Sequence, residues 1–284
     1  MANLEKQMVT HIVPEFLEWL KKKQVGFVVE ASLAMQLSPI TGSIRHVPSQ
    51  LLGKSCDMLI SFGGDGTILS TARIVGRCGI PILGVKIGGM GFLAELAPDE
   101  LYISLEDILD GRYDIVERMM LQAEIEGSAD RLTALNDFVF DKGAVSRIIA
   151  IKTFIDDELL NTYFSDGLII STPTGSTAYS LAAGGPILLP AMDAIIINPI
   201  SPHTLSARPV VIPGDKQVQI EIVTSAQDVA LSGDGQVSKT LTSGQKVIIQ
   251  KADYRIKLVT YGGRSFYDVL RSKLNWGEDI RKSK

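Results

Sequence analysis

One carboxylate stands inside a frame of three glycines in the sequence Ser61-Phe62-Gly63-Gly64-Asp65-Gly66-Thr67. Because glycine has no Cβ, such a backbone can turn tightly and approach a ligand closely. A glycine turn at a helix N-terminus also leaves backbone N–H groups to bind phosphate oxygens. An anionic Asp65 would repel phosphate, which indicates a separate purpose, either chemistry on a hydroxyl group or a bridging Mg²⁺. The structural alternative is an aspartate that caps the helix, and the motif alone favours neither.

A second polar stretch, residues 165–180, follows the end of an apolar strand. Its sequence is Ser-Asp-Gly-Leu-Ile-Ile-Ser-Thr-Pro-Thr-Gly-Ser-Thr-Ala-Tyr-Ser. Hydroxyl groups and free backbone N–H groups at this density suit a polyhydroxyl or phosphate ligand. A turn rich in serine and threonine with helix capping explains the same composition, so composition leaves both interpretations open.

The elements around Asp65 alternate between strands and helices. The apolar pattern predicts a helix over residues 4–23, strands over 25–29 and 58–62, a helix over 68–75 and a strand over 80–87. Such alternation favours a parallel α/β sheet. Ligands bind at the carboxyl ends of strands in these sheets, which is where both glycine-rich turns of this region fall.

The sequence pattern changes after Gly111, where short segments rich in β-branched residues are separated by turn residues. Many short strands at regular spacing are typical of a sandwich-like β domain. A helix over residues 265–274 closes the chain. We therefore predict an α/β domain with a parallel sheet over residues 1–98, with residues 262–284 packing back on it, and an all-β sandwich-like domain over residues 99–261.

Residues 88–94, Gly-Gly-Met-Gly-Phe-Leu-Ala, match the Gly-x-Gly-x-x-Ala pattern of dinucleotide-binding proteins. That pattern requires a long helix at the turn, and Pro98 follows too soon for one. The alternative is that these glycines let the loop pack against the Asp65 loop.

Composition limits the remaining classes of function. The chain has 284 residues, is 45% hydrophobic and carries a net charge of −4, so nothing favours nucleic acid or an acidic membrane as a partner. The apolar residues 181–200 are interrupted by prolines and an aspartate, which excludes a membrane span. Two cysteines without a Cys-x-x-Cys motif fit the reducing cytoplasm. The three histidines have no metal-ligand spacing, and no Gly-x-x-x-x-Gly-Lys-Ser/Thr phosphate loop is present.

Taken together, the motifs resemble those of the NAD kinase family. They are Gly-Gly-Asp-Gly-Thr, then Asn136-Asp137, then residues 165–180, in this order. Further matches are Gly91-Phe92-Leu93, the segment 202–209, Asp234-Gly235-Gln236 and the segment 270–277, so that the resemblance covers about residues 57–277. It implies a NAD kinase-like two-domain fold. It also implies ATP-dependent phosphorylation of NAD on the 2′-hydroxyl of its adenosine ribose, which gives NADP.

The resemblance assigns roles to individual positions. Asp65 matches the catalytic aspartate that accepts the ribose hydroxyl proton, Tyr179 is placed to stack on a base, and Gln236 closes the site. The residues that the resemblance places in the dinucleotide site are Asp65, Gly66, Asn136, Asp137, Arg147, Asp166, Thr177, Ala178, Tyr179, Ser180, Leu181, Ala182 and Gln236.

The resemblance also implies the partners of the reaction. These are NAD and ATP, with polyphosphate as the donor that some relatives accept, and a divalent cation such as Mg²⁺ held mainly by the ATP phosphates. The contact at Gln236 often involves a neighbouring subunit in this family, which implies a homodimer or homotetramer.

Three positions depart from the family pattern. Asp137 is one methylene shorter than the usual glutamate, and Phe164 stands where a polar residue is frequent. Lys86 stands where many members have asparagine, and its side chain either adds a positive charge near the phosphates or extends to the surface.

Other functions share part of these motifs. Lipid kinases and phosphofructokinases also carry Gly-Gly-Asp-Gly, but the run Thr-Pro-Thr-Gly-Ser-Thr-Ala-Tyr at residues 172–179 argues against them. A non-catalytic NAD-binding protein on the same scaffold is a further alternative, and the intact Asp65 with its glycine frame argues against it. A dehydrogenase is the least favoured, because of Pro98.

Overall fold

The computed structural model describes residues 1–88, 91–94, 96–143, 148–224 and 228–276. The chain divides into two compact units. The first unit consists of Met1–Val116 together with the chain from Lys257, and the second unit is Glu117–Ile256.

The helices and strands are numbered in chain order. The helices are α1 (Val9–Lys22), α2 (Ala31–Thr41), α3 (Asp65–Val75), α4 (Leu101–Leu109), α5 (Tyr179–Ala182) and α6 (Phe266–Leu274). The strands are β1 (Val29–Glu30), β2 (His46–Val47), β3 (Leu59–Gly63), β4 (Ile82–Lys86), β5 (Asp114–Ile125), β6 (Arg131–Ala134), β7 (Asp137–Asp141), β8 (Ile149–Ile155), β9 (Glu158–Ser165), β10 (Gly167–Ser171), β11 (Ala194–Ile200), β12 (Val210–Pro213), β13 (Val218–Ile222), β14 (Val229–Gly233), β15 (Val237–Leu241) and β16 (Lys246–Thr260). Short 3-10 helices occupy Ser49–Lys54, Gly76–Cys78 and Thr174–Thr177.

Parallel strands form the centre of the first unit, as predicted. Strand β3 runs beside β4 in register from Leu59↔Ile82 to Gly63↔Lys86. The end of β16 adds a parallel bridge at Leu258↔Ile82. On the other edge of β3, Ala2 forms a parallel bridge with Phe62.

Helix α1 shows how the apolar spacing builds this unit. Its residues Val9, Val13, Phe16, Leu17 and Leu20 are buried and recur on one helix face, so this face packs into the core. The sequence predicted a helix from residue 4, but α1 begins at Val9. Residues 1–3 pair with the edge of β3, and turns at residues 4–5 and 7–8 precede the helix.

The predicted division of the chain differs from the division in the structure. Helix α4, which lies beyond the predicted boundary at residue 98, belongs to the first unit. The reason is its apolar face, since Leu101, Leu105 and Ile108 are buried in the same core as α1. The C-terminal part of this unit likewise begins at Lys257 rather than at residue 262.

Antiparallel sheets form the second unit, which confirms the predicted all-β sandwich. One sheet has the order β12-β11-β10-β7-β14-β15. The other contains β16, β13, β8 and β9, and β5 pairs with β16 and β6. Strand β13 alternates buried and half-buried residues, as expected for a strand with one face on the core. The longest strand of this sheet is β16, which is continuous over Lys246–Thr260.

The described part of the chain contains no helix that combines the length and the apolar character needed to cross a membrane.

Candidate active site

Asp65 is the first residue of α3, and one residue, Gly64, separates it from the carboxyl end of β3. Its carboxylate does not cap this helix, because the capping position is Gly64 and the helix start has no side-chain cap. Instead, the backbone N–H of Phe92 donates to Oδ2 at 2.8 Å and that of Leu93 donates to Oδ1 at 3.0 Å. The capping interpretation is therefore wrong, and the packing of the second glycine loop against the Asp65 loop is confirmed.

Two glycines are required for this arrangement. A Cβ on Gly91 would lie 2.0 Å from Oδ1 of Asp65, and a Cβ on Gly63 would lie 2.1 Å from Oγ1 of Thr67. Because any larger residue would collide with these atoms, glycine allows the carboxylate and the first turn of α3 to pack this closely. The half-buried Asp65 is thus held in one orientation by its surroundings.

Lys86 lies beside the same loop. It is the last residue of β4 and pairs with Gly63 in the parallel ladder. The backbone N–H of Ile87 donates to Gly63 O at 2.9 Å, which fixes the two strand ends together. Asp65 and Lys86 therefore lie at the carboxyl ends of β3 and β4, as expected. Gly66 lies exposed in the first turn of α3.

A carboxylate clamp organises the site residues of the second unit. Asp234 accepts the backbone N–H groups of Leu135 at 2.9 Å, Asn136 at 2.7 Å and Asp137 at 3.3 Å. In return, its own N–H donates to Asp137 O at 2.9 Å. Asp234 has a φ of 53° in the turn between β14 and β15, and this turn also contains Gln236. The structure thus brings Asn136, Asp137 and Gln236 together.

Asp137 is a buried carboxyl group with only 4% of its surface exposed. Burial, followed by the negative charge of Asp234, raises the pKa of Asp137 from 3.8 to about 7. Both causes disfavour the charged form. The carboxyl group is therefore poised to titrate near neutral pH, where an exposed aspartate would be fully ionised.

The hydroxyl-rich run after β10 packs on the backbone of residues 135–136. Thr172 Oγ1 donates to Leu135 O at 2.6 Å and accepts the N–H of Gly175 at 3.0 Å. The N–H of Thr172 donates to Asn136 O at 2.8 Å. A Cβ on Gly175 would lie only 2.2 Å from Asn136 O. Within the described chain, Thr174 Oγ1 is buried and has no hydrogen-bond partner.

Residues 177–182, which were predicted to bind the dinucleotide, differ in how exposed they are. Tyr179 is 48% exposed, whereas Ser180 is fully buried and its Oγ accepts a hydrogen bond from Asn198 Nδ2 at 3.2 Å. Thr177, Ala178 and Leu181 are half-buried, and Ala182 is exposed. Tyr179 therefore has a ring available to a ligand, while Ser180 stabilises the turn.

Asp166 does not join this group. It precedes β10, whereas the hydroxyl run follows it, and β10 pairs with β7 so that Ser171 lies opposite Asp137. The five residues of β10 separate the two ends by roughly 17 Å. Asp166 instead accepts a hydrogen bond from Lys142 Nζ at 2.6 Å. Arg147 lies outside the described residues.

Sequence reasoning did not place Asp234, Thr172 or Gly91 among the site residues. Asp-Gly at a turn between two strands is a recognisable signal for a residue with positive φ. The contacts of these residues join segments that are far apart in sequence, which no local pattern reveals.

A metal site built from the protein alone is absent from the described chain. No group of three or more histidine, cysteine, aspartate or glutamate side chains is arranged to hold an ion there.

Comparison with protein families gives two matches that together span most of the chain. Residues 1–113 match the ATP-NAD kinase N-terminal domain, and residues 135–261 match the ATP-NAD kinase C-terminal domain.

Curated relatives match over nearly the full length. The chain is 44% identical to an NAD kinase from Geotalea daltonii, with 98% of this chain and 97% of the relative covered. It is 43% identical to an NAD kinase from Geobacter sulfurreducens, with 94% of each covered.

Two solved structures are similar in fold. The first is a yeast NADH kinase complexed with NADH, with a TM-score of 0.91 and 27% identity, covering 100% of this chain and 89% of the other. The second is an NAD kinase from Archaeoglobus fulgidus in complex with ATP, with a TM-score of 0.74 and 23% identity, covering 93% and 94%.

Proposed function

This chain belongs to the ATP-NAD kinase family, and we propose that it transfers the γ-phosphoryl group of ATP to the 2′-hydroxyl of the adenosine ribose of NAD. The products are NADP and ADP. The observation that carries this proposal is the Asp65 carboxylate, which two backbone N–H groups hold at the start of α3.

Asp65 has the role of proton acceptor. The ribose oxygen forms a bond to the γ-phosphorus while the bond to the leaving ADP oxygen breaks, and the hydroxyl proton moves to the carboxylate and then to solvent. Phosphoryl transfer of this kind depends mainly on alignment and charge stabilisation. The hydrogen bonds from Phe92 and Leu93 support this role because they orient the acceptor before the substrate arrives.

Residues of the second unit bind the dinucleotide in this proposal. Asn136, Asp137, Gln236 and residues 177–182 supply polar groups, and the exposed ring of Tyr179 stacks on a base. The NADH in the yeast relative supports a dinucleotide ligand. Asp166, which stands apart from this group, remains a proposed ligand contact. Arg147, which lies outside the described residues, remains one as well.

Mg²⁺ enters with ATP in this proposal. It would supply charge neutralisation on the phosphate oxygens, and no cluster of ligands in the described chain competes for it. Lys86, at the end of β4, is a supporting cation for the same phosphates. Polyphosphate is the second donor to test.

Two further properties belong to the proposal. A homodimer or homotetramer is proposed because the family resemblance implies that a neighbouring subunit contributes near Gln236. A cytoplasmic location is proposed because Cys56 and Cys78 are free thiols.

The experiment measures NADP formation by the purified protein with NAD and either ATP or polyphosphate. Asp65→Asn is expected to lower the rate by about 10²–10⁴ because it removes the proton acceptor. Calorimetry should show NAD binding close to that of the unchanged protein. Asp110→Asn, an exposed aspartate paired with Arg112, serves as the control and should leave the rate unchanged.

Three results would contradict the proposal. They are normal turnover by Asp65→Asn, NAD binding without any NADP, and phosphorylation of diacylglycerol or fructose 6-phosphate in place of NAD. Melting curves for each variant distinguish a lost proton acceptor from a lost fold, since the Asn amide would face a backbone N–H group and weaken the turn at 91–93.

A further inference from the structure

Two lysines of the first unit lie at the start of the loop that follows β4, whose residues 92–93 hold the Asp65 carboxylate. Lys86 is the last residue of β4 and stands two positions before Gly88 in the sequence. The Nζ of Lys6 is 3.9 Å from the point where a Cβ on Gly88 would lie. Because Gly88 has no side chain, the ammonium group of Lys6 lies beside bare backbone at the start of this loop.

Backbone hydrogen bonds explain why Lys6 lies there. The N–H of Asn3 donates to Phe62 O at 2.9 Å, and the N–H of Lys6 donates to Asn3 O at 3.2 Å. Phe62 precedes Gly63, the last residue of β3. The backbone of Lys6 is therefore tied to the end of the sheet that carries Asp65.

A third lysine lies at the other end of the same loop. Lys273 is in the last turn of α6, and its Nζ is 5.7 Å from the centre of the Phe92 ring. An aromatic ring attracts a cation at this distance. The N–H of Phe92 donates to Oδ2 of Asp65 at 2.8 Å. Lys273 is therefore held beside a residue that orients the proposed proton acceptor.

The positive charges of these lysines are not offset by ion pairs. Among the described residues, no carboxylate forms an ion pair with Lys6, Lys86 or Lys273. The neighbouring cation of α6 behaves differently, because Arg271 pairs with Asp268. A surface region with one sign of charge attracts ions of the opposite sign. The loop that holds the anionic proton acceptor thus has three cations available to an anion.

We propose that Lys6, Lys86 and Lys273 form a cradle for the phosphate chain of the phosphoryl donor, an inference that rests on the proposed function. A phosphate chain beside Asp65 requires cations, because it is itself anionic and is repelled by the carboxylate. In P-loop proteins a lysine of the loop supplies such a charge, but this sequence has no Gly-x-x-x-x-Gly-Lys-Ser/Thr motif. Lysine binds phosphate as a point charge on a flexible stem.

The donor fits this cradle better than the diphosphate of NAD does. In the proposed reaction the same ribose oxygen contacts the Asp65 carboxylate and the γ-phosphorus, so the γ-phosphoryl group must lie close to Asp65. Apart from Asp65 and Gly66, the described residues assigned to NAD belong to the second unit, whereas the three lysines belong to the first. The diphosphate of NAD is the competing ligand in the test.

The probe is sodium tripolyphosphate, added to the full chain without NAD and followed by titration calorimetry. We expect saturable binding that weakens as the salt concentration rises. Lys6→Met and Lys273→Met keep an apolar stem and remove the charge, so each should weaken binding about tenfold. Lys273→Arg keeps both the charge and the contact with the Phe92 ring. It should bind nearly as tightly as the unchanged protein.

Lys54→Met is the matched control. Lys54 is an exposed lysine of the same unit, and the described chain offers it no ion pair. Its neighbour Gly53 packs against Val75, because a Cβ on Gly53 would lie 3.6 Å from Val75 Cα. Val75 is the last residue of α3, roughly 15 Å along the helix from Asp65. This variant changes the net charge equally and should leave tripolyphosphate binding unchanged.

Steady-state kinetics identify which substrate the cradle serves. In Lys6→Met and Lys273→Met the KM for ATP should rise about tenfold, while the KM for NAD should stay the same. The loss should be larger with polyphosphate, since that donor has no nucleoside to provide further contacts. If the unchanged protein forms no NADP, the proposed function fails, whereas the calorimetry still tests the cradle.

Four results would overturn this inference. They are no binding of tripolyphosphate by the unchanged protein, equal binding by the variants of Lys6, Lys273 and Lys54, equal losses in Lys273→Arg and Lys273→Met, and a raised KM for NAD in place of ATP. Melting curves show whether each variant is folded. Lys6→Met and Lys273→Met alter different elements, so either one is decisive if the other fails to fold.

Discussion

Oδ1 of Asp65 lies only 2.0 Å from the point where residue 91 would carry its Cβ, so Gly91 is what allows the turn at 91–93 to close on this carboxylate. The position of this turn therefore fixes the position of the carboxylate. The turn at 91–93 orients the proposed proton acceptor through two backbone N–H groups.

Gly91→Ala should therefore impair catalysis through Asp65. Because the added methyl group displaces the carboxylate, we expect kcat to fall by about 10²-fold, as for a misplacement of about 1 Å. Steady-state rates of NADP formation, together with melting curves, measure the effect. Gly26→Ala is the control, since a Cβ there meets nothing within 4 Å. Equal losses in both variants would contradict this role for Gly91.

Asp137 should make stability depend on pH. Its carboxyl has an ordinary pKa of 3.8 when unfolded and about 7 when folded. The folded state therefore binds the proton more tightly, so this contribution is complete below about pH 4 and is lost as the pH rises to about 7. Asp137→Asn cannot ionise. The melting temperature of this variant relative to the unchanged protein should rise between about pH 5 and 8. A constant difference across this range would refute the assignment.

Asp234 should act on the dinucleotide through the loop that it holds. Asp234→Ala leaves the N–H groups of residues 135–137 without their acceptor, and each such loss costs about 1–3 kcal/mol. We expect a raised KM for NAD and a lowered melting temperature. Asp234→Asn keeps one oxygen and should be intermediate. Asp215→Ala, in an exposed turn of the same unit, is the control. An unchanged KM would show that the loop does not need this clamp.

Tyr179→Ala should weaken NAD binding more than it changes stability. The ring is half exposed, and base stacking on an aromatic side chain contributes about 1–3 kcal/mol. Titration calorimetry with NAD, paired with melting curves, checks this expectation. Tyr179→Phe keeps the ring and should bind almost normally. If the melting temperature falls as strongly as the affinity, the ring has a packing role instead.

The sequence predicted the elements that carry the site because their patterns are local. The apolar run 58–62 ending in glycines predicted β3 within one residue of Leu59–Gly63. Residues 25–29 show the limit of such local patterns. Their apolar pattern predicted a strand, but the structure has a strand only at Val29–Glu30, because the pattern does not supply the neighbouring strand that a ladder requires.

The contacts within the site could not be read in the same way. Asp65 carries an obvious signal, but its partners Phe92 and Leu93 depend on how two loops meet at the ends of β3 and β4. The clamp of Asp234 on Asn136 joins positions that lie 98 residues apart. The family resemblance assigned both Asp166 and Asn136 to the dinucleotide site, and no local pattern reveals that they lie at opposite ends of the paired strands β10 and β7.

Because the first unit consists of two separate stretches of the chain, the order of synthesis determines when this unit can be completed. The segment Glu117–Ile256 is synthesised as one uninterrupted stretch, whereas the first unit is built from two separate stretches. The first unit must wait for the bridge at Leu258↔Ile82 and for the ion pair of Arg264 with Glu100. The nascent chain thus completes the unit that carries Asp65 last, although it begins that unit first.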